Sequence, residues 1–185
     1  YFRKKNLMIT YHPVTLEKNT SMLSFSVILK SLNNLDDTTL IFTMPNSDSD
    51  SKIIKKMIDD FVKKHENAIS FKSLGRIKYL STLNYIDGII GNSSSGLLEA
   101  PSFKIGTVNI GDRQKGRVKA DSVIDCELTE KSIKYAINKL YKSDFIKKLK
   151  STKNPYDKGN ASHKIIKILK DVDIPKTLKK RFIDL

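Results

Sequence analysis

The sequence predicts an α/β fold with a doubly wound, Rossmann-like parallel sheet, and two observations predict it. Short apolar runs alternate with longer amphipathic segments along the whole chain, which is the pattern of parallel βα units. The 185 residues, 39% of them hydrophobic, are also enough to bury one substantial core. We therefore expect one compact domain over residues 1–173, followed by a C-terminal helix over residues 174–185.

The individual elements follow from apolar spacing and turn signals. Strands are predicted at short runs rich in β-branched residues, over residues 6–11, 39–44, 68–72, 87–91, 105–110 and 122–126. Helices are predicted where apolar residues recur at helical spacing, over residues 16–34, 51–66, 76–85, 95–102, 129–151, 160–171 and 175–183. The strongest breaks are two stretches rich in Pro, Asn, Ser and Asp, at residues 45–49 and 154–160.

The charge of the chain is high, with a formal net value of +14. Clustered cations can neutralise the phosphates of a nucleic acid, so a basic nucleic-acid-binding module is one alternative. The basic residues are mostly Lys, however, and Arg is the residue favoured for bidentate recognition of bases and phosphates. We therefore expect no nucleic-acid partner. Arg occurs only at positions 3, 76, 113, 117 and 181.

Several other classes of function are disfavoured by composition. Cys126 is the single cysteine, and the three histidines lack ligand spacing, so neither a metal nor a redox cofactor is expected. No apolar run approaches the roughly 18 residues of a membrane span, and the first residues lack the apolar region of a signal peptide. Cytoplasmic localisation is the resulting expectation. The chain does not begin with Met, and it looks like part of a longer protein.

Function in such a fold is expected in the loops that leave the carboxyl ends of the strands, where helix N-termini point. Four loops meet this criterion, at residues 11–15, 73–76, 92–96 and 111–117. The first of them, "YHPVT", lacks the glycines of a GxGxxG fingerprint, so NAD is not the expected ligand.

The loop "NSSSG" at residues 92–96 offers hydroxyls and small side chains at the expected start of a helix, which suits a phosphate. An ordinary serine N-cap is the alternative explanation. Glu99 follows Ser95 by four residues, so both lie on one helix face, with the carboxylate directed toward the helix start. That carboxylate either accepts hydrogen bonds from the cis-diol of a ribose or only complements the helix dipole.

Arg113 and Arg117 occupy a glycine-bounded loop after a predicted strand, where a guanidinium would serve as a diphosphate clamp. A solvated basic loop is the alternative there. His12 directly follows the first strand and precedes Pro13, so it belongs to a loop. It either contacts a phosphate or acts on protons near neutral pH, or it makes a structural hydrogen bond.

Four motifs in this order resemble the C-terminal half of the UDP-N-acetylglucosamine 2-epimerases: "YHPVT", "GRIKYLSTLNYIDGIIGNSSSGLLEAPSF", "NIGDRQKGR" and "NPYDKGNAS". The resemblance covers essentially the whole chain. It is closest to the hydrolysing branch, which opens sialic-acid and related nonulosonic-acid pathways. The non-hydrolysing branch usually carries an acidic "TERPE" pattern where this chain has "DRQKGR".

The resemblance implies a two-domain fold of glycosyltransferase-B type whose C-terminal domain holds the nucleotide. Ser93 and Ser94 would bind the diphosphate of UDP together with Arg113, and Glu99 would bind the ribose hydroxyls. The helix at residues 174–185 would cross toward an N-terminal domain of the same polypeptide.

The base is expected to contact the backbone at Leu74 and to lie close to the ring of Tyr79. His12 would lie near the diphosphate or the sugar and is the candidate catalytic residue in this chain, the main catalytic carboxylates being expected in the N-terminal domain. The full set expected to bind UDP is His12, Leu74, Tyr79, Asn92, Ser93, Ser94, Gly96, Glu99 and Arg113.

The implied reaction removes the proton at sugar C2, eliminates UDP to give a glycal, and adds water with inversion at C2. The products are UDP and an N-acetylmannosamine-type sugar, and no cofactor is required. The substrate is either UDP-N-acetylglucosamine or a 2,4-diacetamido relative, and this chain alone is expected to bind UDP without turnover. The donor domain of a glycosyltransferase shares the fold and is a second alternative. Relatives are commonly dimeric, which makes a homodimer a candidate state.

Overall fold

The computed structural model describes residues 2–14, 20–45 and 50–173. The chain divides into two compact units, Tyr1–Pro155 and Tyr156–Leu185. The first unit holds the sheet and the loops of interest. The second contains one described helix.

Six parallel strands form one sheet in the order β3-β2-β1-β4-β5-β6. They span β1 Lys5–Thr10, β2 Thr38–Thr43, β3 Ala68–Phe71, β4 Gly88–Gly91, β5 Gly106–Ile110 and β6 Val123–Cys126. In the centre of the sheet, Leu7 pairs with Leu40 on one side and with Gly88 on the other. The strand order reverses between β1 and β4, as in a doubly wound fold, so the predicted fold class is confirmed.

Helices connect the successive strands from β1 to β5, a loop connects β5 to β6, and two further helices of the first unit follow β6. They span α1 Ser21–Leu32, α2 Ser51–Val62, α3 Gly75–Leu83, α4 Ser95–Leu98, α5 Glu130–Leu140 and α6 Ser143–Ser151, with a 3₁₀ turn at Ala100–Phe103. In the second unit, α7 spans Ala161–Asp171.

Both faces of the sheet are covered, which explains why the strands read as nearly continuous apolar runs. Leu7 and Ile9 pack on the face covered by α1, α2, α5 and α6. Met8 points to the opposite face, where it packs with Leu83 of α3 and Ala100 of the 3₁₀ turn. The strand ends are thereby held at fixed positions from both sides.

Two predicted helices differ from the structure. The expected helix 129–151 is broken between α5 and α6, because its apolar stripe changes phase: Leu140 and Phe145 are both buried but five residues apart, where a continuous helix face needs three or four. The expected helix 95–102 is one turn of α-helix followed by the 3₁₀ turn, since Pro101 has no N–H for a continuing helix.

Several sequence predictions concern the ends of the chain or residues that the structure does not describe. The helix predicted at 175–183, and its crossing toward another domain, lie outside the described residues, as does the predicted helix start at 16–19. The compact unit ends at Pro155, whereas the sequence placed the limit of the nucleotide-binding domain at residue 173, so that assignment stays a prediction. Within the described ranges, no helix is long and apolar enough to cross a membrane.

Candidate functional site

The site lies where β1 and β4 end side by side, at the reversal of strand order. Adjacent loops diverge to opposite faces there and leave a crevice. Gly91 makes the close approach possible: its φ is +136°, and a Cβ at this position would lie 1.9 Å from the carbonyl oxygen of Thr10. A side chain at residue 91 is therefore incompatible with this crevice.

The side chain of Asn92 joins the two strand ends. Its Oδ1 accepts a hydrogen bond from the backbone N–H of His12 at 2.8 Å, and its Nδ2 donates to the carbonyl of His12, also at 2.8 Å. Asn92 is 1% exposed. Its amide is thus engaged with the protein backbone, and its expected contact with UDP stays a prediction.

The loop after β5 is fixed to the same point. The carbonyl oxygen of Asn92 accepts one hydrogen bond from Arg113 Nη1 at 3.0 Å and another from Gln114 Nε2 at 2.8 Å. Gln114 is only 1% exposed. Sequence reasoning did not select Gln114; the available signal was a single uncharged amide within a strongly charged loop.

The serines that follow Asn92 form a tight turn. Ser93 Oγ accepts a hydrogen bond from the backbone N–H of Ser95 at 3.3 Å, and Ser94 occupies the N-cap position of α4. Ser93 and Ser94 are both half-buried. Because α4 has only four residues, its dipole contributes little. Anion binding here would depend on hydroxyl groups and nearby cations.

Gly96 serves packing between this turn and the sheet. A Cβ on Gly96 would lie 2.4 Å from Thr107 Cγ2 on β5, and Thr107 Oγ1 donates to the carbonyl of Gly96 at 2.8 Å. The glycine faces the sheet, so a side chain here would push the turn away from β5. This packing role is separate from the contact with UDP expected of Gly96, which stays a prediction.

Glu99 opens onto a cavity of about 580 Å³. The cavity is also lined by three other residues selected from the sequence, His12, Leu74 and Tyr79, and by the cationic Lys72 and Arg76. One carboxylate oxygen of Glu99, Oε2, is buried and has no hydrogen-bond partner within the described part of the chain. A buried acceptor without a donor is costly, so this oxygen suits a ligand that donates hydrogen bonds.

Tyr79 connects the cavity to the serine turn, because its phenol oxygen forms a short hydrogen bond with Ser95 Oγ. Burial raises the pKa of Tyr79, the bond to Ser95 lowers it, and the charge of Glu99 raises it, with a net increase. The phenol therefore stays protonated at neutral pH, and its hydroxyl is engaged with Ser95.

Arg113 lies on a second, smaller cavity of about 250 Å³, which Asn92, Tyr11 and Glu127 also line. The two cavities receive consecutive residues of the loop after β1, Tyr11 in this one and His12 in the larger. The structure therefore brings His12, Leu74, Tyr79 and Glu99 together directly, and it connects Arg113 to them through Asn92.

His12 itself is 8% exposed, with its backbone held by Asn92. Arg113 and Arg117 are both exposed residues of the basic loop, and Arg113 is hydrogen-bonded to the carbonyl of Asn92. Of the two arginines that the sequence indicated as a diphosphate clamp, Arg113 is the one whose guanidinium is oriented by the crevice.

Comparison with known proteins gives the context for this site. Residues 1–170 match the protein family described as UDP-N-acetylglucosamine 2-epimerase. The chain is 41% identical to the GDP/UDP-N,N'-diacetylbacillosamine 2-epimerase (hydrolyzing) of Campylobacter jejuni, over 98% of this chain and 47% of that protein. It is 38% identical to polysialic acid biosynthesis protein P7 of Escherichia coli, over 91% of this chain and 43% of that protein.

Among solved structures, the S. aureus MnaA–UDP co-structure superposes with a TM-score of 0.71 at 17% identity, over 91% of this chain and 45% of that one. At this identity the likeness concerns the fold. The chain spans a little under half the length of the curated relatives it matches. On the family match and the two sequence relatives, the chain belongs to the UDP-N-acetylglucosamine 2-epimerase family.

Proposed function

We propose that this chain is the UDP-binding C-terminal domain of a hydrolysing UDP-N-acetylglucosamine 2-epimerase. The observation that carries the proposal is Glu99, which lines the cavity at the end of β4 and has a buried carboxylate oxygen with no hydrogen-bond partner among the described residues. The family and the names of the relatives at 41% and 38% identity support the activity.

The ribose is placed at Glu99 for a chemical reason. A cis-diol presents two neighbouring O–H donors, and a carboxylate accepts both through its two oxygens. Because Oε2 is already desolvated, a diol that reaches it supplies the hydrogen bond that no described residue makes to this oxygen. A nucleotide without these hydroxyls gains nothing at this position.

The diphosphate is placed at Ser93, Ser94 and Arg113. The two serines present hydroxyl donors at the turn, and the bond to Asn92 orients the Arg113 guanidinium while using one of its five N–H donors. A guanidinium held in this way matches the geometry of a phosphate. In a nucleotide the diphosphate is covalently joined to the ribose, so the two proposed binding positions must be adjacent. The serine turn and Glu99 are adjacent in this way.

The base is proposed to bind between Leu74 and the ring of Tyr79, which both line the larger cavity. The phenol of Tyr79 is engaged with Ser95, which leaves the face and edge of the ring for the base. The Campylobacter relative is named for both GDP and UDP. Titration with both nucleotides is therefore part of the test.

The reaction is proposed to proceed by loss of the C2 proton with elimination of UDP, followed by addition of water to the glycal with inversion. His12 is the residue of this chain proposed to act near the diphosphate or sugar. The carboxylates for proton transfer are proposed to come from an N-terminal domain of the same polypeptide.

The substrate is proposed to be UDP-N-acetylglucosamine or a 2,4-diacetamido relative, in a cytoplasmic pathway toward sialic or related nonulosonic acids. The names of the two relatives, one for diacetylbacillosamine and one for polysialic acid, support this range of sugars. A homodimer is the proposed assembly.

The first experiment is calorimetric titration of UDP, GDP and NAD into the 185-residue chain and into four variants. We expect selective binding of UDP that falls at least about tenfold in Glu99→Gln and in Arg113→Ala, since each variant loses charge-assisted hydrogen bonds. Glu66→Gln and Arg117→Ala, at exposed positions with the same charge changes, should leave the affinity unchanged.

A folded chain that binds none of the nucleotides, or binds NAD as well as UDP, contradicts the proposal. In the longer polypeptide, release of UDP without any acceptor, together with a C2-inverted sugar, separates an epimerase from a glycosyltransferase. Steeply salt-dependent binding of DNA or RNA that UDP does not affect would instead support the nucleic-acid-binding alternative.

A further inference from the structure

Glu99 lies at the junction of two short helical pieces, and a residue far along the chain holds that junction. Glu99 ends α4 and precedes the 3₁₀ turn at Ala100–Phe103. Its N–H donates to Ser95 O at 2.9 Å, and its carbonyl accepts from the N–H of Ser102 at 3.0 Å. Each piece is a single turn of four residues, too short to be stable by itself.

The side-chain amide of Asn154 spans this junction. Its Nδ2 donates to the carbonyl of Leu98 at 2.8 Å and to Ser102 Oγ at 2.7 Å. Leu98 immediately precedes Glu99, and Ser102 is the residue whose N–H makes the first hydrogen bond of the 3₁₀ turn. One –NH₂ group therefore uses both of its protons to connect the two sides of Glu99.

The same segment makes a second attachment to the junction. Lys104, which follows the 3₁₀ turn with φ +57°, donates from Nζ to the carbonyl of Thr152. Thr152 is 2% exposed, so the end of α6 is itself anchored in the fold. Asn154 consequently projects from a fixed position onto the Leu98–Ser102 stretch.

We propose that Asn154 is a positioning residue for the ribose-binding carboxylate of Glu99. It holds α4 and the 3₁₀ turn at the angle that places the Glu99 side chain on the wall of the cavity. The inference rests on the proposed function of Glu99 as the acceptor for the ribose hydroxyls. It also gives a role to the first residue of the "NPYDKGNAS" motif, which the nucleotide contacts do not use.

A role for Asn154 in orienting Glu99 predicts a different binding result from a role in fold stability alone. Loss of the Asn154 amide should let the Glu99 carboxylate leave the position where it meets a diol. The proposed diphosphate contacts at Ser93 and Ser94 lie at the other end of α4, and the proposed base contacts lie at α3. Both sets of contacts should be retained. The affinity for UDP should therefore fall, while the affinity for a nucleotide without ribose hydroxyls should change little.

The test is titration of UDP and of 2′,3′-dideoxyuridine 5′-diphosphate into the 185-residue chain, Asn154→Ala, Glu99→Gln and the double variant. We expect the parent chain to prefer UDP by about tenfold or more, the value of a charge-assisted hydrogen bond. Asn154→Ala should remove most of that preference. In the Glu99→Gln background, Asn154→Ala should have no further effect on it.

The control is Asn138→Ala, which makes the same change at an exposed position on α5 and should preserve the preference. If Asn154→Ala does not fold, Ser102→Ala tests the inference, because it removes one of the two bonds at an exposed site. A preference about two- to threefold smaller is expected there, and an unchanged preference overturns the inference.

The outcomes separate the two proposals. If Asn154→Ala weakens both nucleotides equally, or neither, the positioning role is wrong while the ribose contact of Glu99 stands. If the parent chain shows no preference for UDP, or keeps its preference in Glu99→Gln, the ribose contact itself is wrong and the positioning role fails with it.

Discussion

The loops after β4 and β3 both contribute to the candidate site, but they are built differently. Gly91, the last residue of β4, and Asn92, the first residue of the loop, are both buried. Asn92 makes hydrogen bonds to the loops after β1 and β5. In the loop after β3, Ser73 and Gly75 are exposed, and they contact each other locally: the Gly75 N–H donates to Ser73 Oγ at 3.1 Å.

The position of each strand in the sheet explains the difference. β4 lies between β1 and β5, and Asn92 at its end is buried, so the polar groups of Asn92 need protein partners. β3 is an edge strand, and solvent satisfies the groups of its loop. The proposed ribose and diphosphate contacts are thereby fixed before binding, and the proposed base contact lies on a surface that can adjust.

The largest expected effect is that of Gly91→Ala. The added Cβ meets the Thr10 carbonyl oxygen at 1.9 Å, and the backbone has φ +136°, so both overlap and backbone strain oppose folding. We expect a loss of more than about 3 kcal/mol in the free energy of unfolding. Urea denaturation followed by circular dichroism measures it. An unchanged midpoint would show that the β1–β4 crevice is not as close as described.

The next effect is that of Asn92→Ala, which leaves the buried N–H and C=O of His12 without the Asn92 amide. We expect a loss of about 2 to 4 kcal/mol, from two hydrogen bonds and the desolvation of their partners. Asn34→Ala, at an exposed position after α1, should change stability by less than about 0.5 kcal/mol. Equal losses in the two variants would remove the distinction between buried and exposed asparagines.

A smaller effect is expected for Gly75→Ala in the loop after β3. This glycine also has positive φ, +62°, but a Cβ there would find no atom within 4 Å. The cost is then only that of the left-handed backbone, about 1 to 2 kcal/mol. Denaturation of this variant beside Gly91→Ala is a matched comparison of the two loops. A loss as large as that of Gly91→Ala would contradict the openness of the edge loop.

The smallest effect is expected at β6, the other edge strand, where Lys119 Nζ lies 2.8 Å from Asp125 Oδ1. Partial burial would raise the pKa of Asp125, but hydrogen bonds from Lys119 and Asn109 lower it below the ordinary 3.8. The stabilisation from a lowered carboxyl pKa is present above the unfolded-state pKa and disappears as the pH falls through the folded-state pKa.

Lys119→Met should therefore cost less than about 1 kcal/mol at pH 7, because the Asp125 side chain is 57% exposed and the pair is screened by solvent. The difference from the parent chain should disappear as the pH falls through the lowered folded-state pKa of Asp125. Denaturation midpoints at pH 7 and in acid test this. A difference that persists in acid would assign the effect to packing of the lysine chain.

The sequence predicted the sheet well, since all six strands begin and end within one residue of their predicted limits. Strands buried on both faces give uninterrupted apolar runs, which are readable without knowledge of the fold. The α5–α6 break was also readable, as a change in the phase of the apolar stripe between Leu140 and Phe145. The spacing of apolar residues within α5 and within α6 is normal for a helix, so each segment by itself does not reveal the break.

The candidate site was only partly predictable. Glu99 was found because its spacing from Ser95 is local, and it does open onto the cavity. The pairing of Asn92 with His12, 80 residues apart, and of Asn154 with Leu98, 56 residues apart, depends on which strand ends and turns become neighbours. Amide side chains have no periodicity that would reveal such partners, so these roles emerged only from the structure.

The location of the proposed base contact on an edge loop has a consequence for how nucleotide preference changes over time. Substitutions at the exposed Ser73 and Arg76 meet few neighbours, so most of them leave the folded state intact. Random variation can therefore explore new base contacts there, whereas the same variation at residues 91–92 is removed by misfolding. On the proposed assignment, a lineage can exchange one nucleobase for another while it inherits the diphosphate and ribose contacts unaltered.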